Sequence, residues 1–155
     1  EKIDKKQPFL LTEDSKQSNY ILASCCNPIP GDNVVGFVSE GEQILIHRKT
    51  CPEAIKLMSS RGEDIVQATW NKFKVLSYLT HLYVRGFDRQ GMANMITNII
   101  SNEYGINMRS INLDAHDGIF EGHLYLYIHN TDNLNTLITK LQKLKGIDSV
   151  TRQDK

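Results

Sequence analysis

Cysteine, excess charge of either sign and long apolar runs are all scarce in this chain of 155 residues. The three cysteines are an odd number that suggests no disulfide framework, so we expect a reducing, cytoplasmic location. The 18 basic and 18 acidic side chains cancel, which excludes an overall positive field that would attract nucleic acid. No apolar run approaches the roughly 20 residues of a membrane-spanning helix, and we expect no membrane partner.

Sequence signals of catalysis are also missing. The chain contains neither a glycine-rich phosphate loop nor a paired-carboxylate site, so we expect a regulatory protein rather than an enzyme. Residues 1–6 include no signal-peptide core and no methionine, and we therefore expect the chain to be part of a longer protein. Its 40% hydrophobic and 23% charged composition is ordinary for globular domains, of which this length accommodates one or two.

What the chain does have is a group of soft metal ligands, here called the Cys/His cluster: Cys25, Cys26, His47 and Cys51. Thiolate and imidazole together suit Zn²⁺, which structural sites hold in a closed tetrahedral set. Neighbours on a strand point to opposite faces, so adjacent cysteines can share one ion only where the backbone turns. The run Asn-Pro-Ile-Pro-Gly-Asp at 27–32 supplies turn chemistry directly after them.

Spacing alone leaves a second interpretation open, in which the cysteines are buried small hydrophobes and His47 is a surface strand residue. The size of the surrounding module favours the metal. After a flexible lead-in over residues 1–19, we expect a module over 20–75 with strands near 20–23, 34–38, 43–47 and 65–70 and a helix over 52–58. Roughly fifty residues give a thin core that usually needs a metal or a partner.

From residue 76 to residue 155 the periodicity predicts a second domain. Alternating stretches near 76–85, 106–114, 119–129 and 147–151 indicate strands. Helical spacing is seen for Met92, Met95, Ile96, Ile99 and Ile100, and again for Leu134, Leu137, Ile138, Leu141 and Leu144. The order β-α-β-β-α-β is the ferredoxin-like unit, so the predicted class is α+β.

Three motifs identify a family. The segment Ala-Ser-Cys-Cys-Asn-Pro-Ile-Pro-Gly-Asp at 23–32, then Gly36, then Ile-His-Arg-Lys-Thr-Cys-Pro at 46–52, resembles the long RelA/SpoT homologues. These are the (p)ppGpp synthetases and hydrolases of the bacterial stringent response. Asp-Arg-Gln-Gly at 88–91 resembles the turn that opens the first helix of an ACT domain, and residues 141–152 resemble the family's C-terminal tail.

The resemblance covers about residues 20–152 and implies a regulatory fragment, a small zinc-finger-like α/β module followed by an ACT domain. The hydrolase and synthetase parts of such proteins lie upstream. In long family members these two modules contact ribosomal RNA and uncharged tRNA and control the protein's own catalytic half. Arg48 and Lys49, beside the ligand His47, are then candidates for phosphate contacts.

A second candidate site is the sheet face that the two helices of the second domain leave uncovered. Strand parity predicts that this open sheet face carries His81, Tyr83, Arg85, His123, Tyr125 and Tyr127. RNA-recognition modules of the same topology place stacking aromatics on the same two strands. Packing against another domain or a second copy of the chain explains the same residues equally well.

The loop before the first helix of the second domain is a third candidate. ACT domains often bind an amino acid there at a dimer interface, and the residues concerned are Asp88, Arg89, Gly91 and Asn94. Backbone N–H groups at a helix start can hold a carboxylate. The simpler interpretation is that Gly91 forms the turn and Asp88 caps the helix. An amino-acid-binding, dimerising sensor is thus the alternative to ribosome and tRNA sensing.

Overall fold

The computed structural model describes residues 6–11, 20–39, 43–71 and 76–154. The chain divides into two compact units, of which the first comprises residues 1–76 with 154–155 and the second residues 77–153. Each unit has its own sheet. Among the described residues, no helix is long and apolar enough to cross a membrane.

The first unit is a sheet with the strand order β1-β5-β3-β4-β2. Its elements are β1 Phe9–Leu11, β2 Tyr20–Leu22, β3 Val34–Val38, β4 Ile44–Arg48, helix α1 Pro52–Ser60, a 3₁₀ turn Gly62–Asp64 and β5 Ile65–Trp70. Strand β3 lies at the centre, antiparallel to both β4 and β5. Its first four residues are buried, as a strand covered on both sides requires.

The core of this unit includes part of the Cys/His cluster. Cys26 and Cys51 are buried with Val35, Phe37 and other small or apolar side chains. The two interpretations of the cysteines are therefore compatible, because a residue can fill the core and still present its sulfur to a shared point.

Residues 9–11 correct the prediction of a flexible lead-in over 1–19. They form β1, which pairs in parallel with β5 and buries Leu11, and the Asn71 N–H donates to the Leu11 carbonyl oxygen at 2.9 Å. The apolar triplet Phe-Leu-Leu at 9–11 was the overlooked signal. The rest of the predicted lead-in, apart from residues 6–8, lies outside the described residues.

The second unit has the predicted order β-α-β-β-α-β, so the α+β ferredoxin-like fold is confirmed. Its elements are β6 Tyr78–Phe87, α2 Met92–Asn98, a π-helical segment Ile99–Glu103, β7 Met108–His116, β8 Ile119–Ile128, α3 Thr131–Gln142 and β9 Ile147–Gln153. The sheet order is β7-β8-β6-β9, which makes β6 and β8 the central strands.

The core of the second unit lies on one face of this sheet. Alternate residues of the central strands are buried there, together with the apolar stripes of the helices. The buried residues include Leu82, Val84, Leu124, Leu126, Met92, Ile96, Ile100, Leu134, Leu137 and Leu141. Helix α3 begins with a side-chain cap, since Asn130 Oδ1 accepts the Asn133 N–H at 2.9 Å.

One close backbone approach in this unit requires glycine. The register between β6 and β9 shifts at Arg85/Gly86, and a Cβ atom on Gly86 would lie 2.2 Å from the Gly146 carbonyl oxygen. The same oxygen accepts the Phe87 N–H at 2.8 Å, so it is held in place. Backbone atoms cannot move aside as a flexible side chain can.

We therefore expect Gly86→Ala to lower the free energy of unfolding of the second unit by about 3 kcal/mol, because overpacking against backbone leaves no relief. Gly122→Ala is the matched control, since its Cβ would come too close only to the Leu113 Cδ2 methyl, at 2.7 Å, which is the end of a flexible side chain; its other neighbours lie at 3.8 and 3.9 Å. We expect a loss of about 1 kcal/mol. Chemical denaturation followed by tyrosine near-UV circular dichroism measures both. Fluorescence of Trp70, the single tryptophan, reports the first unit and should not change. Equal losses of unfolding free energy in the two variants would contradict the requirement for glycine at position 86.

Candidate metal centre and open sheet face

The Cys/His cluster is assembled by one turn, one strand and one helix start. Strand β2 runs parallel to β4, and the Ala23 N–H donates to the Ile46 carbonyl oxygen, which places the turn after β2 beside His47. The Asn27 N–H donates a hydrogen bond to the Ala23 carbonyl oxygen at 3.0 Å, and the Asn27 backbone lies in the left-handed region at φ 47°. Both cysteines therefore sit within a closed turn, which removes the strand alternation that would separate them.

The donor atoms are close enough to share one ion. Cys25 Sγ lies 3.3 Å from His47 Nδ1 and 3.6 Å from Cys51 Sγ, and Cys26 Sγ lies 3.8 Å from His47 Nδ1. All four donor atoms lie within 4.8 Å of one another. Tetrahedral Zn²⁺, with Zn–S near 2.3 Å and Zn–N near 2.0–2.1 Å, places its donors about 3.5–3.8 Å apart. The residues present thus fit a metal ion in number, chemistry and spacing.

Burial favours the uncharged form of three of the four donors. It raises the pKa of the Cys26 thiol to about 12, and it also raises the pKa of Cys25. It lowers the pKa of His47, which favours the neutral imidazole that a metal ligand must be. The thiols would lose their protons on binding a cation. His47 Nε2 is buried and has no hydrogen-bond partner among the described residues, while Nδ1 faces the sulfurs.

Two features around the cluster stabilise negative sulfur. The Arg48 N–H donates to Cys26 Sγ at 3.3 Å. Cys51 is the N-cap residue of α1, so the positive end of the helix dipole faces this ligand position. Such supporting contacts orient ligands in metal sites. The four side chains would occupy all positions of a tetrahedral ion, so a metal held here would be of the structural kind, with no open position for a substrate.

The two basic residues beside His47 differ in their surroundings. The Arg48 guanidinium donates to the Cys26 carbonyl oxygen and to the carboxylate of Asp154, a residue of the same unit, and only 16% of its side chain is exposed. Arg48 is thereby engaged in holding the turn. Lys49 is exposed. Of the pair predicted from sequence, Lys49 is therefore the exposed residue and Arg48 the engaged one.

In the second unit, the structure brings the aromatic side chains of β6 and β8 together on the open sheet face. The register pairs His81 with Tyr125, Tyr83 with His123 and Arg85 with Glu121. Tyr127 has the same parity and is 36% exposed, whereas Tyr83, His123 and Tyr125 are half-buried. All residues predicted for this face lie on it.

The rings pack against one another instead of standing free. His81 stacks on Tyr125 with ring centroids 4.3 Å apart, and its Nε2 lies 2.8 Å from His123 Nδ1. Tyr83 in turn packs against His123 at 5.0 Å. His81, at 5% exposed, is covered by its neighbours. The outer rings, and not the central imidazole, are available to a partner.

The charges of the open sheet face do not favour nucleic acid by themselves. Arg85 lies opposite Glu121, which lies opposite Asp114 on β7. Burial raises the pKa of Tyr83, and the neighbouring Glu121 carboxylate adds to this rise. Strand parity places Glu121 on this face, but only the register of the sheet brings Glu121 and Asp114 beside Arg85. An RNA contact here would depend on stacking, not on charge.

The predicted amino-acid loop is explained by its turn. Gly91 is the N-cap of α2 at φ 81°, and no side chain caps this helix, so the prediction that Asp88 does so is wrong. The Asp88 backbone N–H instead donates to the Gly118 carbonyl oxygen, and the Arg89 guanidinium donates to that of Lys145. Asp88, Arg89, Gly91 and Asn94 are all exposed.

Two family models match the chain, one for each sheet. The RelA/SpoT RIS domain matches residues 12–71, and the ACT domain matches residues 74–152. The match to the ACT domain takes in the second sheet up to the last residue but one of β9, and the match to the RIS domain includes the entire Cys/His cluster.

Curated relatives with similar sequences are much longer proteins. The GTP pyrophosphokinase of Escherichia coli strain K12 is 32% identical over 135 residues, which are 84% of this chain and 18% of that protein. The GTP pyrophosphokinase of Haemophilus influenzae is 26% identical over 156 residues, 98% of this chain and 21% of that protein. The bifunctional (p)ppGpp synthase/hydrolase SpoT of Escherichia coli K12 is 28% identical over 132 residues, 84% and 18% of the two chains. The chain thus spans about a fifth of these relatives.

Solved structures similar to the second unit include the ACT domain from the GTP pyrophosphokinase of Chlorobium tepidum. Its crystal structure is 42% identical, covers 50% of this chain and 99% of that one, and gives a TM-score of 0.47. Its solution structure is 40% identical, covers 51% and 89% of the two chains, and gives the same TM-score of 0.47.

The adjacent residues Leu126 and Tyr127 test the two faces of the second sheet. We expect Leu126→Ala to cost about 2–5 kcal/mol of unfolding free energy, because Leu126 is fully buried and leaves a cavity. Tyr127→Ala should cost less than about 1 kcal/mol, since its ring is exposed. Urea denaturation monitored in the second unit measures both. Comparable losses would show that Tyr127 belongs to the core.

Proposed function

The chain belongs to the ACT domain family and carries a RelA/SpoT RIS domain before its ACT domain, and from this membership we propose a regulatory function in the bacterial stringent response. The observation that carries the proposal is the pairing of these two domains in one chain. Neither is a catalytic domain. The curated relatives that resemble the chain are named as GTP pyrophosphokinases or as a (p)ppGpp synthase/hydrolase. The chain would act by binding, as the C-terminal region that controls the catalytic half of such a protein.

The first unit would act as a rigid, metal-stabilised platform. Cys25, Cys26, His47 and Cys51 would hold a structural Zn²⁺, which joins the turn after β2, strand β4 and the start of α1 when bound. Support comes from the donor spacings of 3.3–3.8 Å and from the N–H that Arg48 directs at Cys26 Sγ. Without a metal, only a small hydrophobic core would hold these three elements together.

The partners would be ribosomal RNA and uncharged tRNA, by which the parent protein detects amino-acid starvation, and its own catalytic half. Exposed Lys49 supports a phosphate contact, and the outer rings of the open sheet face support stacking. A dimerising sensor that binds an amino acid at Asp88, Arg89, Gly91 and Asn94 is the alternative. It has less support, because Gly91 and backbone hydrogen bonds explain that loop.

The metal is tested by Cys26→Ser. We expect bound zinc to fall from about one ion per chain to a small fraction, because such a site couples metal binding to folding. Emission from Trp70 should shift as the first unit loosens, while the second unit keeps its unfolding midpoint. Ser24→Ala, at an exposed neighbour in the same turn, is the control and should retain the metal. Mass spectrometry of the metal measures content; a wild-type chain that binds no zinc after its addition would contradict the proposal.

The ribosome contact is tested by Lys49→Ala. Removing one phosphate contact should reduce the magnitude of the slope of log K against log salt by about one, since fewer counterions are released. Binding of the chain to purified ribosomes at several salt concentrations gives the slope. Lys56→Ala is the control, because the Lys56 ammonium lies 3.8 Å from the Glu53 carboxylate on α1. Tyr127→Ala should weaken binding without changing the slope.

Titration of the chain with branched-chain amino acids distinguishes the amino-acid sensor from the ribosome-binding function. Saturable binding of an amino acid that Asn94→Ala abolishes, together with no affinity for ribosomes, would replace the proposed function by the amino-acid sensor.

A further inference from the structure

We propose that Cys25 is an oxidation site at which hydrogen peroxide starts the formation of a Cys25–Cys51 disulfide. The loss of metal that follows rests on the proposed function, whereas the disulfide itself depends only on the geometry of the sulfurs. Three features of the Cys/His cluster carry this inference: unequal exposure, the separation of two sulfurs, and the adjacency of Cys25 and Cys26.

Exposure distinguishes Cys25 from the other members of the cluster. Cys26, Cys51 and His47 are 0%, 1% and 3% exposed, whereas Cys25 is partly exposed. A peroxide molecule must touch the sulfur that it oxidises, so only Cys25 offers a direct approach from solvent. Cys26 Sγ is also occupied by the Arg48 N–H, which lowers its reactivity as a nucleophile.

Distance selects Cys51 as the partner. Its sulfur lies 3.6 Å from Cys25 Sγ, and a disulfide bond of about 2.05 Å requires an approach of about 1.5 Å. Rotation of two side chains can supply such a movement. Cys51 is the N-cap of α1, so its sulfur lies at the start of that helix and faces Cys25.

Adjacency excludes Cys26 as the partner, although its sulfur is also near. Consecutive Cα atoms are about 3.8 Å apart across a trans peptide, and no cis peptide bond is found in the described residues. Disulfides usually require Cα atoms about 4.4–6.8 Å apart. A Cys25–Cys26 bond would therefore be strained, whereas Cys25 and Cys51 are separated by 26 positions and carry no such restriction.

The chemistry proceeds in two balanced steps. Cys25 Sγ attacks one peroxide oxygen, so that an S–O bond forms and the O–O bond breaks; the departing hydroxide takes the Cys25 thiol proton and leaves as water, and the product is a sulfenic acid. Cys51 Sγ then attacks Cys25 Sγ, forming the S–S bond and expelling a second hydroxide, which takes the Cys51 thiol proton as water. Two sulfurs together lose two electrons, and one peroxide is reduced to two waters.

The product removes two of four donors from the proposed metal site. Cys26 and His47 alone cannot form a closed tetrahedral set, so the ion would leave. Because Cys26 and Cys51 both belong to the core cluster of the first unit, the change would reach its packing. The second unit has a separate core and would stay folded. A dithiol reductant would reverse the reaction by thiol–disulfide exchange.

The test treats the zinc-loaded chain with increasing hydrogen peroxide. Free thiols are then blocked, and the peptides are mapped by mass spectrometry while a chromogenic chelator measures released zinc. We expect a Cys25–Cys51 cross-link, release of about one zinc per disulfide formed, and recovery of both thiols with dithiothreitol. A Cys25–Cys26 link, or oxidation that begins at Cys26 or Cys51, would overturn the proposal.

Two variants that keep four donors sharpen the result. In Cys51→His, Cys25 has no partner, so its sulfenic acid should accumulate and be trapped by dimedone. In the control Cys26→His, both reacting cysteines remain, so the cross-link should form as in the wild type. If Cys51→His folds poorly, the same sulfenic acid can be trapped with dimedone in the wild-type chain at early times. Its absence from Cys25 in both proteins would overturn the proposal.

The metal-free chain separates this inference from the proposed function. A chain that binds no zinc but still forms the Cys25–Cys51 link under peroxide supports the oxidation site while contradicting the metal. A chain that binds zinc and yields no such link supports the metal while contradicting the oxidation site.

Discussion

The convergence of four soft donor atoms is the constraint on which the first unit depends. Strands β1 and β2 have three residues each, so the sheet offers few contacts at its edges. The turn after β2, strand β4 and the start of α1 meet at Cys25, Cys26, His47 and Cys51. A cation bound there would add the stability that a small hydrophobic core does not supply. Burial raises the pKa of Cys26 and lowers that of His47, so both favour their neutral forms, and a bound cation would have to displace the proton from the Cys26 sulfur.

The second unit has a larger hydrophobic core than the first. Its central strands are ten residues long, and one face of them is covered by two apolar helices. The other face is filled by rings that stack on each other, which leaves only the outer tyrosines to a partner. A sheet with one sealed face and one half-open face can bind without unfolding, as a regulatory domain must.

Charge distinguishes the two units as binding surfaces. On the open sheet face, the acidic Glu121 and Asp114 accompany Arg85, so affinity there would come from stacking and shape. Beside the Cys/His cluster, Arg48 is held by Asp154 and the backbone, and Lys49 is exposed. A chain with no net charge thus still has an exposed local cation, although only one of the two expected residues is exposed.

The sequence by itself determined the order of the elements and the parity of the central strands, because periodicity and turn residues act over a few positions. It also offered three cysteines and one histidine as ligands, but their spacing alone left open whether they meet. Only the tertiary structure decided that Phe9–Leu11 joins a sheet, that Arg48 is engaged, that Asp88 caps nothing and that His81 is covered. It also decided that Cys25 is the partly exposed one of the three cysteines. Each of these depends on contacts between segments distant in the chain, which no local pattern encodes.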